Sequence, residues 1–342
     1  MLKLGYSDGD IEKIVSFYTF SRSKEEWLYN RVKENYAFLL NLGYTHKEII
    51  KMTNTFPELY AFTTEYLRQR INDLMSMGYD EGMVLKMTVI CPTLYAYSLT
   101  NLKQKLRDIV SLGYSEEIAF KITKDFPQIY CLSFDTIKQR IEEIEKLGYK
   151  SRIIVLKMVK SRPNLLAYDI DTIKKKFEDM IDLGHSKEDV IRMTSSYSKL
   201  YSLDIENMKQ KIIDMEALGF SREQVLGMLK ALPTLYGLTV DTIREKKEFY
   251  DSIGISSIMI TNTTQMMQGI ELSYARYMFY KNMGIEIGIH NCSLLFLPQA
   301  TFFKRYGFEK EKLIEKYNYY SDNGKTKRDV GKKKVRGKLL AV

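Results

Sequence analysis

Basic residues two positions apart recur along the chain: Arg68/Arg70, Lys103/Lys105, Lys138/Arg140, Lys174/Lys176, Lys209/Lys211 and Arg244/Lys246. A third series holds Lys51, Lys86, Lys121, Lys157 and Arg192, then lapses at Gly227. Within each series the step is 35 residues, or 36 across one inserted residue. The same charge at the same place in successive stacked repeats lines up as a stripe. Like charges in a row repel unless an anion lies along them. A stacked repeat advances roughly one helix diameter, ~10 Å, a step that suits successive phosphates of a nucleic-acid backbone better than a small ligand.

No other chemistry has comparable support. His46, His185 and His290 lie far apart, and His185 fills an aromatic slot after Gly184, where packing is its expected role. Cys91, Cys131 and Cys292 form neither a CxxC pair nor a Cys/His spacing suited to zinc. Three cysteines argue against a disulfide framework and suit a reducing compartment. Walker loops, GxGxxG and GxSxG motifs are absent from the sequence. The acids lie among basic residues on helix faces, where solvation explains them. No enzyme activity, metal or cofactor is expected.

The chain is 45% hydrophobic and 28% charged, ordinary for a folded protein. No stretch approaches the 18 or so apolar residues of a membrane span. The N-terminal MLKLGYSDGD carries neither an apolar signal core nor an Arg-rich leader. The expected location is cytoplasmic or nucleoid-associated in a bacterium, or a mitochondrial or plastid matrix after loss of a leader. Net charge is +9, but Lys325 to Lys338 alone carries +7. The nearly neutral body therefore binds an anion by the arrangement of its charges or not at all.

The elements that position these residues repeat with them. A glycine and usually an aromatic recur at Gly5-Tyr6, Gly43-Tyr44, Gly78-Tyr79, Gly113-Tyr114, Gly148-Tyr149, Gly184-His185 and Gly219-Phe220, continuing at Gly254 and Gly284. Such a period signals a stacked-repeat architecture. Counting from each glycine, position +2 is an N-cap type: Ser7, Thr45, Asp80, Ser115, Ser186, Ser221, Ser256. Thr45 with Glu48 and Ser221 with Gln224 form capping boxes. Proline at +14 (Pro57, Pro92, Pro127, Pro233, Pro298, with Pro163 one place later) ends helix one near +12. After a short apolar connector comes a second N-cap column: Thr63, Ser98, Ser133, Asp169, Asp204, Thr239. Helix two then runs to the next glycine, its left-handed stop. Ser198 and Gln268 replace proline late in the chain, so the last repeats read as degraded.

The expected fold is thus an all-α helical-repeat solenoid, a superhelix of about eight ~35-residue units, each helix–Pro break–helix. The array spans 1–320, with 285–320 as a C-terminal capping unit and 321–342 as a basic, disordered tail. On helix two the apolar face is set by Ile137, Ile141, Ile144 and Leu147. Position +27 (Arg140) lies beside that face, so its stem must cross the seam between repeats, and +25 (Lys138) lies on the other flank. Both are candidate anion ligands, or else partners of acids such as Glu142 and Glu178. The +8 series lies opposite Ile49 and Phe56 and serves as a secondary candidate. The +17 tyrosines (Tyr60, Tyr95, Tyr130, Tyr201, Tyr236) are expected in the core with their hydroxyls at its rim. A base-stacking role is the alternative.

Taken together, these features resemble the mitochondrial transcription termination factor (mTERF) family. The matching pattern is LGYT-x-x-EI-x-KM-x-x-x-FPELYAF-x-x-x-x-L-x-x-R at 42–70 and LGFS-x-x-QVLGML-x-x-LPTLYGL-x-x-x-x-I-x-x-K at 218–246. The resemblance covers about 4–300 and is specific in its mid-repeat proline. It implies a half-doughnut-like superhelix whose basic concave path holds duplex DNA, although some members serve RNA processing, splicing or ribosome assembly. The shared helix-two basic position corresponds to Arg70, Lys105, Arg140, Lys176, Lys211 and Lys246. The resulting expectation is a monomeric, non-enzymatic binder of double-stranded DNA in transcription regulation or termination, with the tail adding non-specific attraction. The alternatives are a protein-interaction scaffold and an RNA-binding factor.

Overall fold

From the second repeat to the eighth, the chain between successive glycines forms two α-helices joined by a 3-10 turn. The computed structural model describes residues 1–18 and 23–324. In the second repeat the order is His46–Thr55, Pro57–Ala61, Thr64–Ser76. The third repeats it as Glu81–Ile90, Pro92–Ala96, Leu99–Ser111. The fourth is Glu116–Asp125, Pro127–Cys131, Phe134–Glu145, and the fifth Arg152–Ser161, Pro163–Ala167, Ile170–Asp182. The sixth and seventh use Lys187–Ser196 with Ile205–Ala217 and Arg222–Ala231 with Val240–Ser252. The architecture is an all-α helical-repeat solenoid, with no strand among the described residues.

Local chemistry accounts for each boundary. Thr45 accepts from the Glu48 amide while the Glu48 carboxylate takes the Thr45 amide at 2.8 Å. Ser221 and Gln224 do the same, and so do Ser7 and Asp10. In the second column Thr63, Ser98, Ser133, Asp204 and Thr239 each accept from the amide three residues on. The connector is itself a 3-10 turn with proline in its first position, where the missing donor costs nothing. At the far end, Gly184 adopts φ +111°, and a Cβ there would also press on Leu226 at 3.0 Å. Only glycine meets both demands.

Three late features differ from expectation. The sixth repeat keeps its break without proline: Tyr197 holds φ −144°, ψ 73°, and Ser198–Ser202 forms the turn. Proline is therefore not required for this corner. In the eighth repeat helix one shrinks to Ile258–Thr261, so the turn Thr263–Met267 arrives early and Gln268 follows it instead of standing in a proline slot. Pro298 likewise lies after the turn Cys292–Phe296, as the cap of Gln299–Tyr306. Lys310–Lys316 and Tyr319–Asp322 complete the C-terminal segment. Of the basic tail, 325–342 lies outside the described residues.

The chain divides into two halves, Met1–Lys174 and Lys175–Val342. In the first half, Asp8–Phe17, His46–Thr55 and Glu81–Ile90 pack in series as one layer, while Ser23–Asn41, Thr64–Ser76, Leu99–Ser111 and Phe134–Glu145 form a second. In the second half, Lys187–Ser196, Arg222–Ala231 and Ile258–Thr261 make one layer. Ile205–Ala217, Val240–Ser252 and Ile270–Asn282 make the other.

Repeats are tied together inside the core by hydroxyl clusters. Tyr44 meets Thr88 at 2.6 Å and Tyr95 at 2.8 Å. Tyr79 meets Thr123 and Tyr130 at 2.7 and 2.8 Å, and Tyr6 meets Thr53 and Tyr60. Each cluster joins the aromatic after one glycine to the next repeat's helix one and connector. Where Val159 and Leu166 replace threonine and tyrosine, Tyr114 instead donates to the Leu156 carbonyl at 2.8 Å. The +17 hydroxyls of Tyr60, Tyr95 and Tyr130 are therefore engaged in the core and not at its rim. Tyr44→Phe is expected to cost about 1–3 kcal/mol by removing one partner each from the buried Tyr95 and Thr88 hydroxyls. In denaturant titrations the pair Tyr44→Phe/Tyr95→Phe should cost less than the sum of the two single changes.

Candidate nucleic-acid interface

The two helix-two columns have opposite fates. Position +25 projects outward: Arg68, Lys103, Lys174, Lys209 and Arg244 are exposed and Lys138 is half-buried. Local contacts steady these side chains without enclosing them. Arg68 lies over the Phe38 ring and Lys138 over Phe134. Lys174 approaches Asp171 at 3.9 Å, and Arg244 pairs with Asp241. Exposed pairs of this kind are worth little, so the cations remain available to a stronger anion.

Position +27 crosses the seam and ends on backbone. In the first half Arg70 donates to the Tyr97 carbonyl (3.3 Å), Lys105 to Leu132 (2.6 Å) and Arg140 to Leu166. In the second half Lys176 donates to Leu203 (2.5 Å), Lys211 to Leu238, and Lys246 to Met266 and Gln268. Nearly all these acceptors end the next repeat's 3-10 turn, just before its second N-cap. Those carbonyls have no intrahelical donor, and a cation suits them. Arg70 also pairs with buried Asp73 at 2.8 Å. Lys211 and Lys246 are only 8% and 4% exposed, and burial pushes the Lys246 ammonium down to about 8. Position +27, a candidate anion ligand by its place beside the seam, thus has a backbone partner in the next repeat in every one of these six units and fastens one repeat to the next.

Two members of this column escaped the sequence reading. Fully buried Arg276 donates to the Leu295 and Leu297 carbonyls at 2.9 and 2.7 Å and to Gln299 at 3.0 Å. Asn35 donates to Leu59 and Phe62 at 3.2 and 2.9 Å. Counting forward from the preceding glycine hid both, because the first repeat is long and the eighth short. Counting back from the following glycine puts all eight residues, Asn35 through Arg276, at the same distance of eight.

The +8 series (Lys51, Lys86, Lys121, Lys157 and Arg192) is exposed on the helix-one layer. Lys121 pairs with Asp125 and Arg192 with Asp189, both at 2.5 Å. It therefore shares no helix with +25. Tyr201 and Tyr236 are buried like the other +17 tyrosines and offer no stacking platform.

His185 replaces the usual tyrosine and meets the Tyr236 hydroxyl at 2.7 Å. Burial lowers its pKa, so the folded state holds it neutral while the unfolded chain takes up a proton. Stability is then complete above the ordinary histidine value near 6.5 and declines as pH falls below it. His185→Tyr should weaken that acid sensitivity in unfolding curves measured between pH 7 and 5. Among the described residues no group of three or more His, Cys, Asp or Glu could hold a metal, and no helix is long and apolar enough to cross a membrane.

Fold and surface together define a helical-repeat protein in which a solvent-facing cation recurs once per repeat along the sequence. A family model described as mTERF matches residues 1–111 and 107–258. The match covers well over half of the chain, and the chain belongs to the mTERF family, a generally non-enzymatic family of nucleic-acid-binding repeat proteins associated with organellar or bacterial nucleic-acid processes. No curated protein matches it.

Proposed function

We propose that the chain grips the phosphates of double-stranded nucleic acid, duplex DNA before RNA, chiefly through Arg68, Lys103, Lys138, Lys174, Lys209 and Arg244. Lys51, Lys86, Lys121, Lys157 and Arg192 are the secondary candidates. The observation that carries this reading is the contrast between neighbouring columns. Each +27 cation has a structural partner, whereas the +25 cations recur in every middle repeat and face solvent with only weak local pairs. Within each half the +27 series fixes one repeat on the next. No bond is made or broken, and an effect on transcription, including termination, would follow from occupying a site. Burial of the connector tyrosines argues against a single-strand reader, which needs exposed rings.

Fluorescence anisotropy with duplex DNA tests the reading, on the full chain and on one ending at Gly324. Six neutralised phosphates give a slope of about −5 for log affinity against log salt. Binding that is absent or insensitive to salt in both chains, with DNA and with RNA duplexes, would overturn it.

A further inference from the structure

Cys91 precedes Pro92 at the start of the third repeat's turn, and Cys131 ends the fourth repeat's turn Pro127–Cys131. Forty residues apart in sequence, their sulfurs lie 3.2 Å from one another. The Thr93 hydroxyl touches both, at 3.2 Å from Cys91 and 3.1 Å from Cys131. Cys131 is exposed and Cys91 buried. We propose that Cys131 is a peroxide-reactive thiol and Cys91 its resolving partner, forming a reversible disulfide that cross-links two consecutive connector turns.

Electrostatics assign the two roles. With the buried Cys91 thiol as the donor and the exposed Cys131 sulfur as the acceptor, this contact brings the Cys131 thiol down to about 6, with Thr93, Tyr97 and the Lys105 charge adding to the effect. The same bond, with burial, pushes the Cys91 thiol up. At neutral pH the exposed sulfur is therefore the thiolate, the reactive form. It attacks one oxygen of hydrogen peroxide, the O–O bond breaks, and the departing hydroxide takes a proton to become water. Cys131 is left as the sulfenic acid. The Cys91 sulfur then attacks the sulfenic sulfur, the S–O bond breaks, and the hydroxide leaves with the Cys91 proton as a second water. One peroxide is reduced and two thiols are oxidised. A disulfide needs its sulfurs at about 2.05 Å, so bond formation draws the two sulfurs together from 3.2 Å. Lys105 rests on the carbonyl of Leu132, the next residue, so the bond would clamp the seam that Lys105 already fastens.

The test treats the full chain with a few equivalents of hydrogen peroxide at pH 7, alkylates with iodoacetamide and maps peptides by mass spectrometry. A Cys91–Cys131 linked peptide is expected, with Cys292 alkylated, and dithiothreitol added before alkylation should abolish the link and leave all three cysteines alkylated. Three alkylated cysteines, a link to Cys292 or between chains, or over-oxidation of Cys131 without a link would overturn the proposal. In Cys91→Ala, dimedone should trap the Cys131 sulfenic acid, and alkylation of Cys131 at pH 7 should slow by on the order of tenfold or more. Should that variant misfold, the unaltered chain still decides. Its Cys131 alkylation rate must level off near pH 7, and a rate climbing to pH 9 contradicts the assigned roles.

Discussion

Replacing Arg68, Lys103, Lys138, Lys174, Lys209 and Arg244 together with alanine is expected to weaken duplex DNA binding by on the order of 10³ at ~0.15 M salt. The salt slope should fall from about −5 toward zero over the same titration, in a chain ending at Gly324. The unfolding midpoint should barely change, because these side chains are exposed or half-buried and their few partners are local acids and two ring faces. Loss of affinity without loss of stability separates a ligand-facing column from a structural one. Replacing only Arg68, Lys103 and Lys138 should remove about half of the slope, since each neutralised phosphate contributes about −0.9.

The opposite result is expected for the fastening column. Arg276→Ala should destabilise the C-terminal half by about 3 kcal/mol or more, because the Leu295 and Leu297 carbonyls and Gln299 all lose a buried charged donor. The arginine also covers the Phe302 ring at 4.7 Å, so packing is lost with it. Lys211→Glu should cost roughly 3–5 kcal/mol, since it sets an acceptor against the Leu238 carbonyl in a site only 8% exposed. Lys211→Met, which keeps the stem, should cost less. Denaturant melts with both helical and aromatic signals would measure these losses, and any binding recovered at low temperature should keep its salt slope.

Much of this fold was legible because its boundaries follow short-range rules. Thr45 with Glu48 starts a helix by its own chemistry, Pro57 opens a turn, and the glycines stop helix two, all within a few residues of sequence. Burial of the connector tyrosines was readable from their apolar neighbours, but the partners of their hydroxyls were not. The Tyr44–Thr88–Tyr95 contact exists only once one repeat lies on another. The same limit explains the two basic columns. Helical geometry placed Arg140 beside the apolar seam and Lys138 on its flank, yet nothing local reveals that a carbonyl of the next repeat awaits Arg140. The family resemblance pointed to the +27 position as the shared basic site, and packing gives that position a neighbour in its own chain. Asn35 and Arg276 were missed because the front of a repeat varies in length, while the run from the second N-cap to the next glycine is nearly constant. The meeting of Cys91 with Cys131 needs two connectors to stack, which cysteine spacing cannot reveal.

Lysine-acylation footprinting with and without a duplex DNA probe tests the division between the two columns most directly. Lys103, Lys138, Lys174 and Lys209 should react in the free protein and be protected severalfold when nucleic acid is bound. Lys105, Lys176, Lys211 and Lys246, held on carbonyls, should react slowly in both states. Unchanged reactivity at Lys103, Lys138, Lys174 and Lys209 on binding, or protection confined to the C-terminal basic residues, would contradict the assignment.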